Sequence, residues 1–292
     1  MDEREWSMPR IQEVLPEILA KDLVRLVLHM DPEDIRLELR AGFDLAADLY
    51  DRTRPVCPDT LFDDLVRLTN LGQGDAVVEI GCGPGQATLP LAERGLRVTA
   101  VELGSELADL ARHKLVGFPS VTVTTSSFED WTPDGSEYSA VVAINSLHWV
   151  DPELRYAKPA RLLKCGGYLA VGGCLWSTPS GADPFFDQVQ DDYRAVGIEG
   201  TPPPPPEKIG PPHLPADARV YFEEVAAGRY PFDVRFSVQD YLDNLATQSG
   251  IRQLGQEKAE EFLERVNRRL AARGRPDIVT SLVAVLTIGR AR

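Results

Sequence analysis

In VVEIGCGPGQATLPLAERG, residues 77–95, Gly81, Gly83, Pro84 and Gly85 lie between an apolar run and a run with helical spacing. A turn from strand into helix gathers backbone N–H groups that have no partner within the helix, and glycine lets a ligand come close to them. Spacing argues against two common ligands. A triphosphate loop needs GxxxxGK[ST], but Gln86, Ala87 and Thr88 follow Gly85. A dinucleotide turn needs GxGxxG, and Gln86 stands where the third glycine belongs. What remains is GxGxG preceded by an acid, Glu79. A second acid, Glu102, ends the next apolar run, RVTAVEL. A carboxylate there can accept both hydroxyls of a ribose, and it would repel a 2′-phosphate. Turn and acid together read as a site for a nucleoside with a small charged tail, and Glu79 can face a cationic or amino group.

Outward from this stretch, short apolar runs alternate with helical patterns. AVVEI, a helix to Arg94, RVTAVEL, a helix from Ser105 to Lys114, SVTVTTS, YSAVVAINSL, a helix through Leu163 and GYLAVGGCLW follow in order. This alternation predicts a mainly parallel sheet covered on both faces. Ser105 is placed to cap its helix, with Leu107, Leu110 and Ala111 on the buried side.

Before the alternating region, 11–30 and about 34–49 have helical spacing, and YDRTRPVCPDT interrupts the pattern with prolines. After Trp176, DPFFDQVQDDYRAV reads as a helix, and GIEGTPPPPPEKIGPPHLP as an extended loop. VYFEEVAAGRYPFDVRFS reads as strand, VQDYLDNLATQSG and QEKAEEFLERVNRRLAARG as two helices, and DIVTSLVAVLTIGR as a last strand.

The 292 residues, 43% hydrophobic, suffice for one large α/β domain with an insertion. A formal net charge of −14 argues against a nucleic-acid partner and weakens attraction to an anionic membrane. MDEREWSMPR lacks the apolar core of a signal peptide, and no run approaches a membrane span. Cys57, Cys82, Cys165 and Cys174 have no CxxC spacing, which predicts reduced thiols in a cytoplasmic protein without a metal site.

VVEIGCGPGQAT with VTAVEL resembles the glycine motif and ribose acid of class I S-adenosylmethionine-dependent methyltransferases. YDRTRP, SFEDW, LHWVDPELRYAKPARLLKCGGYLAV and YLDNLATQSG resemble a small-molecule branch of that superfamily, the type 11/25-like methyltransferases, over roughly Phe43 to the C-terminus. The resemblance implies a Rossmann-like sheet of seven strands, mainly parallel with the last antiparallel, helices on both faces, and a helical lid. It implies three segments: a lid over 1–55, the cofactor-binding core over 56–176, and 177–292 as a substrate-lid insertion plus the final strands of the same sheet. The protein would act as a monomer or homodimer on a small organic acceptor, transferring methyl to oxygen in specialised metabolism. A reaction using the cofactor without methyl transfer, or a non-catalytic cofactor-binding protein, stands as the alternative.

By position, the resemblance implies that Glu79, Gly81, Cys82, Gly83 and Gly85 surround the methionine part of S-adenosylmethionine. Glu102 would hold the ribose, Leu103 would touch the adenine, and Ser127 and Phe128 would flank its edge and ring. Ser127 stands where many relatives carry aspartate. Asn145 would sit beside the cofactor, with Tyr50 and Arg54 closing over it. His148, at the carboxyl end of the fourth strand, is the candidate base; His29, His113 and His213 are weaker ones. Trp176, Tyr193, Tyr230, Tyr241 and Thr247, with Phe185, Phe186 and Ser249, are candidates to line an apolar acceptor pocket. Core packing is an alternative for most of these aromatics, and for Phe128 and Trp131.

Overall fold

A computed structural model describes residue 44 and residues 47–135, 137–199 and 201–292. The helix read at 11–30, His29 and most of the helical stretch from Asp34 lie outside the described residues. In chain order the elements are α1 (Ala47–Thr53), α2 (Asp59–Thr69), β1 (Ala76–Ile80), α3 (Thr88–Glu93), β2 (Arg97–Glu102), α4 (Ser105–Lys114), β3 (Val121–Thr125), β4 (Tyr138–Ile144), α5 (Ala157–Leu162) and β5 (Leu163–Ser177). There follow α6 (Phe185–Gln188), α7 (Gln190–Ala195), β6 (Phe222–Ser237), α8 (Val238–Ala246), α9 (Ser249–Arg252), α10 (Gln256–Ala272) and β7 (Asp277–Ala291).

The strands form one seven-stranded sheet in the order β3-β2-β1-β4-β5-β7-β6, mostly parallel with the chain's last strand antiparallel. β1 lies between β2 and β4 with Glu79 opposite Ala100 and Val142, and all five of its residues are buried. Burial on both faces is why AVVEI and YSAVVAI read as nearly unbroken apolar runs. Successive residues serve opposite cores: Val77, Ala140 and Val142 pack with Phe62, Leu65 and Leu91, whereas Val78, Val141 and Ala143 pack with Phe128, Trp131 and Leu162. β6 closes one end of the sheet, and an edge strand is where Pro231 is tolerated inside a strand.

Running from β1 out to β3 and then back to β4, the chain reverses direction across the sheet between β1 and β4. Open α/β sheets bind ligands at the carboxyl ends of the strands at such a point. The glycine turn leaves β1 there, and Asn145 follows β4.

By packing, the described chain falls into two units. One comprises residues 44–174, 210–232 and 283–292 and contains both cores named above. The other comprises 175–209 and 233–282, with Phe185, Phe236, Tyr241 and Phe262 in its own core. The division falls within β5, β6 and β7. In the second unit, Arg269 pairs with Asp192 at 2.6 Å and Arg273 with Asp183 at 2.5 Å, fixing α10 beside α7 and the chain before α6.

Two local expectations are corrected. Ser105 does not cap α4: it is the first helical residue, Gly104 is the N-cap, and the carboxylate of Asp44 accepts the Leu107 N–H at 3.0 Å. A serine one residue too far along cannot turn back to these amides, and an acid from a preceding segment takes its place. The stretch 183–196 forms two short helices rather than one, separated at Val189.

Candidate functional site

Gly81, Gly83 and Gly85 have φ of +64°, +54° and +85°, values that other residues rarely adopt. Packing adds a second requirement at Gly81, where a Cβ would stand 2.7 Å from the Ser146 Cβ. Beside Gly83 a Cβ would meet nothing within 4 Å, so there the backbone borders open space. The Gly81 and Cys82 N–H groups both donate to the Val101 carbonyl, at 2.8 and 3.3 Å, which ties the turn to β2.

Glu102 secures the turn from its other side. One carboxylate oxygen accepts the Gly83 N–H at 2.8 Å and the other the Gly104 N–H at 2.9 Å. Glu79 is 1% exposed, and its Oε2 has no hydrogen-bond partner among the described residues. Burial, opposed by the Thr88 hydroxyl and reinforced by the negative Glu102, pushes the Glu79 carboxyl up to about 7. An unsatisfied buried carboxylate oxygen is costly, and a donor supplied from outside the chain would satisfy it.

That donor has a place. A cavity of about 50 Å³ is lined by Tyr50, Cys57, Glu79, Gly81, Cys82, Gly83 and Asn145, among others. Asn145 holds φ +58°, a left-handed value unusual for a residue with a side chain, and its Oδ1 accepts the Cys174 N–H at 2.9 Å. Tyr50 lines the cavity, and the Arg54 guanidinium lies 5.1 Å from the centre of its ring. Burial lowers the Arg54 pKa and raises that of Tyr50. The Arg54 carbonyl accepts from the Gln86 amide at 3.4 Å, linking α1's end to the turn. The fit to S-adenosylmethionine rests on chemistry of this kind: an orphaned acid for an amino group, glycine backbone open to the ligand, and a fixed carboxylate for a ribose.

The other expected cofactor residues lie outside this cavity. Leu103 is 38% exposed, an open apolar surface next to Glu102. The Ser127 hydroxyl is occupied within its own turn, donating to Asp130 Oδ2 at 2.7 Å and accepting the Asp130 N–H at 3.0 Å. The Phe128 ring is 1% exposed and stacks on Trp131 in the core. Lys158 holds this loop, donating to the carbonyls of Phe128 at 2.6 Å, Glu129 at 3.0 Å and Trp131 at 2.5 Å.

His148 lies in a 3₁₀ turn after β4, its ring centre 4.6 Å from that of Trp149. It is half-buried, and burial, with the nearby Arg155 charge adding to it, lowers its pKa to about 4. It is therefore a neutral imidazole at pH 7. His113 Nδ1 lies 3.1 Å from the Asp109 carbonyl and His213 Nδ1 2.7 Å from Glu224, both at exposed positions.

The candidate acceptor-pocket residues divide between the units. Tyr230 is in the sheet unit, and its hydroxyl donates to Asp64 at 2.9 Å. Trp176, Tyr193, Tyr241 and Thr247 are in the other unit. There Tyr193 packs on Phe262 at 4.6 Å, Tyr241 meets Phe185 and Phe236 edge-on, and Trp176 and Phe186 pack against the same core. The Thr247 side chain is buried and donates to the Asn244 carbonyl at 2.7 Å, and Ser249 opens α9.

Several residues at the site had no motif to announce them. Asp44 and Lys158 act over 63 and about 30 residues of sequence through single charged groups. Ser146, whose hydroxyl binds the Ile80 carbonyl, is the reason for Gly81 and looks like any small residue after a strand. Cys57 and Cys174 are 117 residues apart.

Residues 77–167 match a family model described as a methyltransferase domain. An uncharacterized methyltransferase of Mycobacterium bovis is 30% identical over 167 residues, 57% of this chain and 63% of that protein. The match thus spans less than two thirds of that relative's length. A ubiquinone biosynthesis O-methyltransferase of Xanthomonas oryzae pv. oryzae is 36% identical over 33% of this chain and 41% of its own. A solved structure provisionally assigned as a type II methyltransferase of Anaeromyxobacter dehalogenans aligns with TM-score 0.57 and 25% identity, covering 82% of this chain and 97% of that one. The matched residues contain the glycine turn, both acids, Asn145 and His148, and over them the chain is similar to a methyltransferase domain.

Proposed function

We propose that the protein transfers a methyl group from S-adenosylmethionine to an oxygen of a small organic acceptor, in specialised metabolism. The observation that carries this reading is the buried, unpartnered oxygen of Glu79 beside a glycine turn whose far side is held by a second carboxylate. Glu79 takes the amino group of the cofactor's tail, and Gly81, Cys82, Gly83 and Gly85 bring backbone close to it. Arg54 offers a cation for the tail's carboxylate, and Tyr50 and Asn145 form the walls. Glu102 receives the ribose hydroxyls, Leu103 meets one adenine face, and Ser127 and Phe128 border the adenine through their turn.

Bound there, the cofactor supplies an electrophilic methyl group. The chain's task is to hold an acceptor in line with that methyl and to exclude water. His148 accepts the acceptor's proton. Its depressed basicity keeps it unprotonated and ready at pH 7, at the expense of proton-transfer driving force. Tyr230, in the unit that carries the glycine turn, is the candidate for an acceptor contact.

A screen of candidate acceptors with methyl-labelled cofactor tests the reading. Label is expected in a hydroxyl-bearing product, and turnover that leaves no label in any product would overturn it. In the same assay His148→Ala is expected to slow turnover about 100-fold. A near-wild-type rate would assign His148 to packing.

A further inference from the structure

We propose that Cys57 and Cys174 form a paired-thiol modification site, and that hydroperoxide converts them into an intrachain disulfide that closes the cofactor cavity. This inference rests on the cofactor assignment made above. Both cysteines are free thiols, and their sulfurs stand 2.8 Å apart. A disulfide joins sulfurs at about 2.05 Å, so less than an ångström separates contact from bond.

Their positions give the bond a consequence. Cys57 follows the segment bearing Tyr50 and Arg54, and it lines the cavity together with Tyr50 and Pro55. Cys174 is on β5, with its N–H held by Asn145, which lines the same cavity. The bond would fasten the α1 segment to β5 beside Asn145. Tyr50, Pro55 and Cys57 form one wall of that cavity, and a covalent tie at Cys57 would fix this wall and restrict its adjustment as a ligand enters.

The chemistry balances with hydrogen peroxide as oxidant. Cys174, the more exposed of the two, attacks the O–O bond: an S–O bond forms, and water leaves with the thiol's proton. Cys57 then attacks the resulting sulfenic sulfur: the S–S bond forms, the S–O bond breaks, and a second water leaves. Two thiols are oxidised by two electrons in total, and one peroxide is reduced to two waters. Contact with Cys57, together with burial, pushes the Cys174 thiol well up, which makes the first step slow and dependent on sustained exposure.

The test uses the full chain, reduced with dithiothreitol or treated with hydrogen peroxide. Peptide mass mapping without reduction reads the bond, and stopped-flow association of S-adenosylhomocysteine reads the cavity. Peroxide is expected to yield a linked peptide containing Cys57 and Cys174, about 2 Da lighter than the two thiol peptides together. Association is expected to slow at least tenfold and to recover with dithiothreitol. Cys174→Ser is expected to associate at one rate before and after treatment. The absence of the linked peptide at a dose that oxidises the exposed Cys165 would overturn the proposal, as would a linked protein with unchanged association. Reduced protein that does not bind S-adenosylhomocysteine would overturn the cofactor assignment and the cavity's closure with it, whereas the peptide map reads the thiol pair independently.

Discussion

At the scale of single residues, Glu79 keeps in the ligand-free fold a proton that its ordinary pKa would release. Its carboxyl is raised from 4.5 to about 7 in the fold. Between those values the unfolded chain loses the proton and the folded protein keeps it. The folded state then binds more protons, and this residue's contribution to stability falls as pH rises through the window. An amino group placed against Glu79 requires the ionised form, so binding expels the proton below about pH 7. The affinity for S-adenosylhomocysteine is therefore expected to rise with pH up to about 7, by as much as about tenfold per pH unit. Glu79→Gln is expected to flatten that dependence while weakening binding at pH 8. Calorimetric titrations across pH 5–8 check both, and an identical profile for the two proteins would remove Glu79 from the ligand's reach.

Gly83 tests the same place sterically. Its positive φ and the empty space around a hypothetical Cβ mean that Gly83→Val strains the turn and fills the ligand's side of it. Binding of S-adenosylhomocysteine is expected to be lost while the protein remains folded by circular dichroism. Affinity equal to wild type would contradict the site. The sequence made these residues legible because a turn between a buried strand and a helix has few solutions, and glycine spacing with flanking acids distinguishes among them. It did not show that Glu79 Oε2 has no partner among the described residues, since that depends on what β2, β4 and α3 place around it.

At the scale of elements, α4 shows how the local reading falls short. Its span matches the pattern from Ser105 to Lys114, yet its N-terminal amides are satisfied by Asp44 rather than Ser105. α1 is fastened to the same helix at its other end by the Asp51–Lys114 ion pair. Asp44→Ala is expected to lower stability by about 1 kcal/mol through loss of the cap, read as a lower midpoint in urea unfolding. It is also expected to weaken S-adenosylhomocysteine binding, because α1 carries Tyr50. A lowered midpoint with unchanged binding would confine Asp44 to capping. Long-range caps escape sequence reading because one acid among 45 carries no periodicity.

At the scale of the whole molecule, a mainly parallel sheet covered on both faces was legible from the alternation of apolar runs and helical patterns. The return of the last strands to that sheet was expected, but its bounds at residues 174, 209, 232 and 282 were not, because no composition shift marks them. The acceptor-pocket candidates suffer from the same gap. Tyr193 and Tyr241 look like pocket residues by type, and their rings fill the core of the second unit. An aromatic reads alike whether it lines a cavity or packs an interior.

The most direct measurement is a crystal structure of the protein with S-adenosylhomocysteine. The account predicts the ligand at the carboxyl ends of β1 and β4, with its amino group within hydrogen-bond reach of Glu79 Oε2 and its ribose hydroxyls on Glu102. A ligand found elsewhere, or that crevice filled by the protein's own side chains, would contradict it.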